Sequence, residues 1–148
     1  MKWKLTSEAG LKNVEKEVLA RVSPRLGKKN GAYLLGLSGN LGSGKTRFTQ
    51  TLARALGIKD SVPSPTFVLA RTYQTKKMPI RELVHIDAYR LGEEKEFSVL
   101  QLEKMFEWNG TLVVMEWPER APKDVFFNGT LSFIARGGKR EVSFVEHD

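Results

Sequence analysis

Apolar positions change their period several times along this chain, and each change predicts an element. Leu11, Val14, Val18 and Val22 recur at three- and four-residue intervals, which places them on one stripe of a helix. Ser7 is a plausible N-cap for that helix, and Ser23-Pro24 is expected to end it. A basic connector, Arg25 to Gly31, leads into Tyr33-Leu34-Leu35-Gly36-Leu37, which reads as a short buried strand. Helical spacing returns with Phe48, Leu52 and Leu56 and stops at Gly57. The two prolines of Val62-Pro63-Ser64-Pro65-Thr66 then hold the chain extended.

The second half alternates in the same manner. Phe67 to Tyr73 and Leu83 to Ile86, joined by a polar connector, read as a hairpin in which His85 and Asp87 share one face and Val84 and Ile86 the other. Ser98-Val99-Leu100-Gln101 has the form of a capping box, opening a helix that buries Leu102, Met105 and Phe106 and closes at Asn109-Gly110. Leu112-Val113-Val114-Met115-Glu116 is an unbroken apolar run ending in an acid, the pattern of a buried parallel strand. A final hairpin, Thr130 to Ala135 and Glu141 to Val145, turns through Arg136-Gly137-Gly138-Lys139 and is expected to extend one edge of the sheet.

Chemistry enters between the first strand and the second helix. Gly39 to Thr46 matches the phosphate-loop pattern G-x-x-x-x-G-K-[ST] without a substitution. Glycines at 39, 42 and 44 let backbone N–H groups approach a triphosphate at the positive end of a helix. Lys45 supplies a mobile charge for the β- and γ-phosphates, and the Thr46 hydroxyl suits one octahedral position on Mg²⁺. The segment from Gly39 through Asn40, Leu41, Gly42, Ser43, Gly44, Lys45 and Thr46 to Arg47 is therefore the expected nucleotide-binding stretch. Glu116, at a strand end, has the place of a Walker B acid with Glu where Asp is usual. Asp87 has two readings of equal weight: a metal-site carboxylate at a strand end, or the cap of a turn through Ala88-Tyr89-Arg90. Glu93, Glu94 and Glu96 read as a solvated loop.

Composition sets the bounds. The 148 residues suffice for one domain with a real core and not for two of typical size, so residues 1–148 are taken as one domain. Without cysteine there are neither disulfides nor thiolate metal sites. No signal-like or membrane-length apolar run occurs, and a cytoplasmic protein is expected. A net charge of +7 favours polyanions, with a solvated basic surface and an RNA-contacting one equally compatible.

Four motifs in order, Gly39 to Thr46, Ser64-Pro65-Thr66-Phe67, His85-Ile86-Asp87-Ala88-Tyr89-Arg90-Leu91 and Glu116-Trp117-Pro118-Glu119, resemble the TsaE family, small ATPases of bacterial tRNA threonylcarbamoyladenosine biosynthesis. The resemblance implies an α/β fold with a P-loop NTPase-like sheet, its parallel central strands flanked by antiparallel ones and helices on both faces. It implies slow ATP hydrolysis alone and work with two partner proteins, of TsaB and TsaD type, that modify the adenosine next to the tRNA anticodon. tRNA would be met through that complex. Lys45 and Thr46 carry over as phosphate and Mg²⁺ contacts, Asp87 and Glu116 as acids of the metal site, Thr66 to a loop sensitive to the γ-phosphate, and Trp117 as a functional aromatic. Lys45, Asp87 and Glu116 are thus the expected catalytic set, and Thr46, Asp87 and Glu116 the expected metal ligands. Two other uses of the same loop stay open: a small-molecule kinase, and a nucleotide-gated interaction module without productive hydrolysis.

Overall fold

The computed structural model describes residues 1–28, 30–62, 70–89 and 102–147. The Ser64–Phe67 motif with Thr66, Arg90 and Leu91, the acidic run from Glu93 and the capping box at Ser98 lie outside the described residues. Seven strands form one sheet in the order β1-β7-β6-β2-β5-β4-β3. They are β1 (Lys2–Leu5), β2 (Tyr33–Gly39), β3 (Ala70–Gln74), β4 (Glu82–Asp87), β5 (Thr111–Glu116), β6 (Gly129–Arg136) and β7 (Lys139–Glu146). The centre is parallel, with β2 pairing both β5 and β6, and β4 pairing β5. Antiparallel β3, β7 and β1 flank it, as expected for this fold class.

Side-chain alternation divides the core in two. Leu35 and Leu37 of β2, Leu83 of β4, Leu112 and Val114 of β5 and Phe133 of β6 face α1 (Glu8–Leu26) and α2 (Lys45–Ala55). Leu34, Val84, Ile86, Val113 and Met115 face the other way, against Phe106 behind the short α3 (Leu102–Met105) and against Trp117, Val125 and Phe127. β5 is buried along its whole length because both of its faces are covered.

α2 ends as its sequence predicts. Gly57 has φ of +78°, its N–H reaches the Arg54 carbonyl at 3.1 Å, and the Ile58 N–H reaches that of Ala53 at 3.0 Å. This paired closure satisfies two otherwise orphaned carbonyls, and only glycine enters it without strain.

Some details differ from expectation. α1 runs through Pro24 to Leu26, because a proline in the last turn forfeits one hydrogen bond while the burial of Val22 and Leu26 holds that turn on the core. Ser7 is extended at the N-cap position, but its hydroxyl makes no capping bond. The β6–β7 hairpin is not the sheet edge: β6 joins β2, and β1 adds outside β7, turning Trp3 and Leu5 onto the helix-side core. The Lys2-Trp3-Lys4-Leu5 alternation was the signal for that strand, only four residues long.

Leu52 is fully buried between α2 and the sheet. Leu52→Ala is expected to lower unfolding free energy by about 2–5 kcal/mol with little change in nucleotide affinity, measured by urea titration and ATP binding in parallel.

Candidate nucleotide site

Strand parity builds the site. Residues 112, 114 and 116 of β5 and 83, 85 and 87 of β4 point to the helix side, and Asp87 and Glu116 are direct register partners at their strand ends. α2 begins over the end of β2, whose Leu37 is paired with the same Glu116. Two acids and the first turn of a helix therefore converge at the carboxyl end of the sheet, where α/β folds place their ligands.

The loop between β2 and α2 depends on its glycines. Gly39 has φ of +151°, and a Cβ there would stand 2.7 Å from both the Phe133 carbonyl and the Ser43 hydroxyl. Gly44, the N-cap, has φ of +112° and no side chain to satisfy the first amides of α2. Those amides have no intrahelical acceptor and point, with the helix dipole, toward the loop. The Ser43 hydroxyl is buried without a partner among the described residues. Open amides, a dipole and an orphaned hydroxyl fit a phosphate chain.

Lys45 is only 4% exposed. Its ammonium is bonded to the Gly39 carbonyl, lies 3.4 Å from that of Asn40, and sits 3.8 Å from the centroid of the Trp117 ring. All three partners are neutral. Burial accordingly lowers the Lys45 pKa, opposed by the charges of Glu116, Glu119 and Asp87.

Thr46 donates its hydroxyl to both Glu116 oxygens at 3.1 Å. Glu116 is also 2.6 Å from Nε2 of His85, a histidine with no exposed surface. Asp87 accepts the Tyr89 N–H at 2.9 Å, so its turn-capping role is realised beside its place next to Glu116. A hydroxyl and two carboxylates are the hard oxygen donors Mg²⁺ takes, usually with waters completing its shell. Among the described residues no three His, Cys, Asp or Glu side chains form a metal-holding cluster.

Other predicted residues lie farther out. Arg47 is ion-paired with Glu8 at the start of α1, and Leu41 is 72% exposed on the loop tip. The sequence reading assigned no role to His85, although a position two before Asp87 in a strand shares its face. It also missed the stack in which Arg120 lies 4.9 Å from the Tyr89 ring and Tyr89 5.0 Å from Trp117. Trp117 has left-handed backbone angles, φ 61° and ψ 55°, an unfavourable conformation for a bulky residue, and its indole lies over Lys45.

The family model for "Threonylcarbamoyl adenosine biosynthesis protein TsaE" matches residues 6–142. The chain belongs to the TsaE family. It is 32% identical over 146 residues to the tRNA threonylcarbamoyladenosine biosynthesis protein TsaE of Bacillus subtilis, covering 97% of this chain and 84% of that protein. With the like-named protein of Synechocystis sp. it shares 39% identity over 95 residues, 59% of this chain and only about half, 55%, of that relative. The crystal structure of Bacillus subtilis YdiB superposes with a TM-score of 0.61 at 27% identity, covering 99% of this chain and 84% of that one. The TsaE family relationship thus rests on sequence over most of the chain as well as on the fold. Among the described residues no helix is long and apolar enough to cross a membrane.

The buried lysine gives a test with a definite sign. Its folded pKa lies below the ordinary 10.5, so at neutral pH the folded state bears the burial cost, and stability rises as pH climbs through the folded value toward 10.5. Lys45→Met should therefore melt no lower than wild type without nucleotide at pH 7, with the difference shrinking as pH approaches 10. It should bind ATP about ten- to a hundredfold more weakly, for loss of a charge-assisted contact. Thermal melts across pH, with and without ATP, check both.

Proposed function

We propose that this chain is the Mg²⁺-dependent ATP-binding and ATP-hydrolysing subunit required for threonylcarbamoyladenosine modification of tRNA next to the anticodon. The observation that carries the reading is the convergence of Lys45, Thr46, Glu116 and Asp87 on one glycine-shaped loop, in a chain of the TsaE family. The names of its relatives supply the pathway, and the loop supplies the chemistry. We take residues 1–148 as one ATPase domain working in the cytoplasm, with partners of TsaB and TsaD type through which it meets tRNA.

In this reading the open amides of Gly42 and of Gly44 to Arg47 bind the phosphates, and Lys45 leaves the neutral carbonyls and the Trp117 ring for the β- and γ-phosphates. That exchange is favourable because an anion compensates a charge whose burial nothing else offsets fully. Thr46, Glu116 and Asp87 would hold Mg²⁺, which when bound neutralises charge on the phosphate oxygens. Glu116 or Asp87 orients the attacking water in line with the γ-phosphate. Among the described residues Arg47 is engaged by Glu8 and Arg120 by the Tyr89 ring, and a cation supplied by a partner would complement a slow isolated enzyme.

Phosphate release from Mg²⁺–ATP should be slow for the chain alone and rise at least tenfold with TsaB- and TsaD-type partners and tRNA. Lys45→Ala should abolish it, and Glu116→Gln should reduce it about a hundredfold and weaken Mg²⁺–ATP binding about tenfold or more, while affinity in EDTA stays within a few-fold. Unchanged affinity and turnover in Lys45→Ala would remove the site. Radiolabel passing from the γ-phosphate to a metabolite, rather than to inorganic phosphate, would make the protein a kinase.

A further inference from the structure

The geometry points to His85 as a positioning residue that sets the Glu116 carboxylate, and through it the Thr46 hydroxyl, for the cation. The inference rests on the Mg²⁺–ATP reading and adds to it a residue that touches neither nucleotide nor metal.

His85 occupies a position where packing alone asks for a hydrocarbon. It lies mid-strand in β4 between Leu83 and Asp87 on the helix side, with no exposed surface. Its Nδ1 is buried with no partner among the described residues, and its Nε2 is 2.6 Å from Glu116 Oε2. A half-satisfied buried polar ring costs free energy that a leucine would not, so its contact with Glu116 is the use that the position offers. A carboxylate accepts only, so the imidazole donates from Nε2 to Glu116.

The consequence runs outward by one bond. The terminal torsion of a glutamate is soft and roughly two-fold, so a carboxylate at a strand end does not hold its own plane. His85 fixes one oxygen from within the sheet, while Thr46 bridges both oxygens at 3.1 Å from the helix side. With its single proton committed to Glu116, the Thr46 hydroxyl keeps its lone pairs for a cation. Without His85 the carboxylate can turn away, and the Thr46 proton loses its fixed acceptor. Outer partners of this kind sustain about ten- to a hundredfold of metal affinity in other sites.

The test uses a fluorescent ATP analogue titrated into the full chain with Mg²⁺ and, separately, with EDTA. In wild type, Mg²⁺ should tighten binding. In His85→Phe, and in His85→Leu should the phenylalanine fold poorly, that Mg²⁺-dependent gain should fall about tenfold or more while affinity in EDTA stays within twofold. His85→Gln, which keeps an N–H donor near the same place, should recover the gain to within about threefold of wild type. Adding Glu116→Gln to His85→Phe should cost less than Glu116→Gln does in wild type. A wild-type gain in His85→Phe and His85→Leu would overturn the inference, as would an equal loss in Mg²⁺ and EDTA, or a glutamine no better than phenylalanine. If Mg²⁺ gives wild type itself no gain, the metal assignment falls, and this inference with it.

Discussion

A hydroxyl on the first turn of α2 bonded to a carboxylate on the last residue of β5 ties the two halves of this site together. Its geometry depends on strand register more than on the two residues themselves. β2, β4 and β5 are parallel neighbours, so their carboxyl ends lie side by side, and a shift of one residue in β5 would turn Glu116 to the opposite face of the sheet. The alternating core enforces the register. Val114 belongs to the helix-side cluster and Val113 and Met115 to the other, so a slip would have to exchange two apolar cores to move one acid.

Against that rigid floor, the nucleotide-facing groups are held by weaker or costlier contacts. The Lys45 ammonium is buried against neutral carbonyls and an indole, Trp117 holds a left-handed backbone, and Ser43 buries an unpaired hydroxyl. Each of these costs free energy in the fold. The stable part of the molecule sets positions, and the strained part retains the capacity to bind. Such a division accounts for a burial that lowers the pKa of a lysine while leaving it amid three acids that act on it only through space.

Much of this was legible in the sequence for a physical reason: periodicity and glycine placement act locally. The Gly39–Thr46 loop, the stripe at Leu11, Val14, Val18 and Val22, and the unbroken run ending at Glu116 each reflect one element's own sterics and burial. Parity alone placed His85 beside Asp87. What escaped was decided between elements. β1 exists because β7 offers it a partner, and α1 passes Pro24 because Leu26 finds a pocket in the core. The bond from His85 to Glu116 joins residues 31 apart in sequence, on strands whose adjacency no local pattern encodes.

The aromatic stack also separates the two ends of the site. Lys45 is in contact with Trp117, Trp117 with Tyr89, and Tyr89 with Arg120, while Tyr89 is 37% exposed. A lysine moving onto phosphates gives up its cation–π contact, worth about 2 kcal/mol or more when desolvated, and frees one face of an indole that is already strained at its backbone. The stack that remains ends in a partly exposed phenol and a guanidinium. On the proposed function, a nucleotide in the loop would therefore change the balance of forces at a surface, by a route made of adjoining rings rather than a hinge. Where partner proteins complete the enzyme, as proposed, that surface is where a nucleotide-dependent difference in affinity would be read, and a ligand can shift an equilibrium only through such a difference.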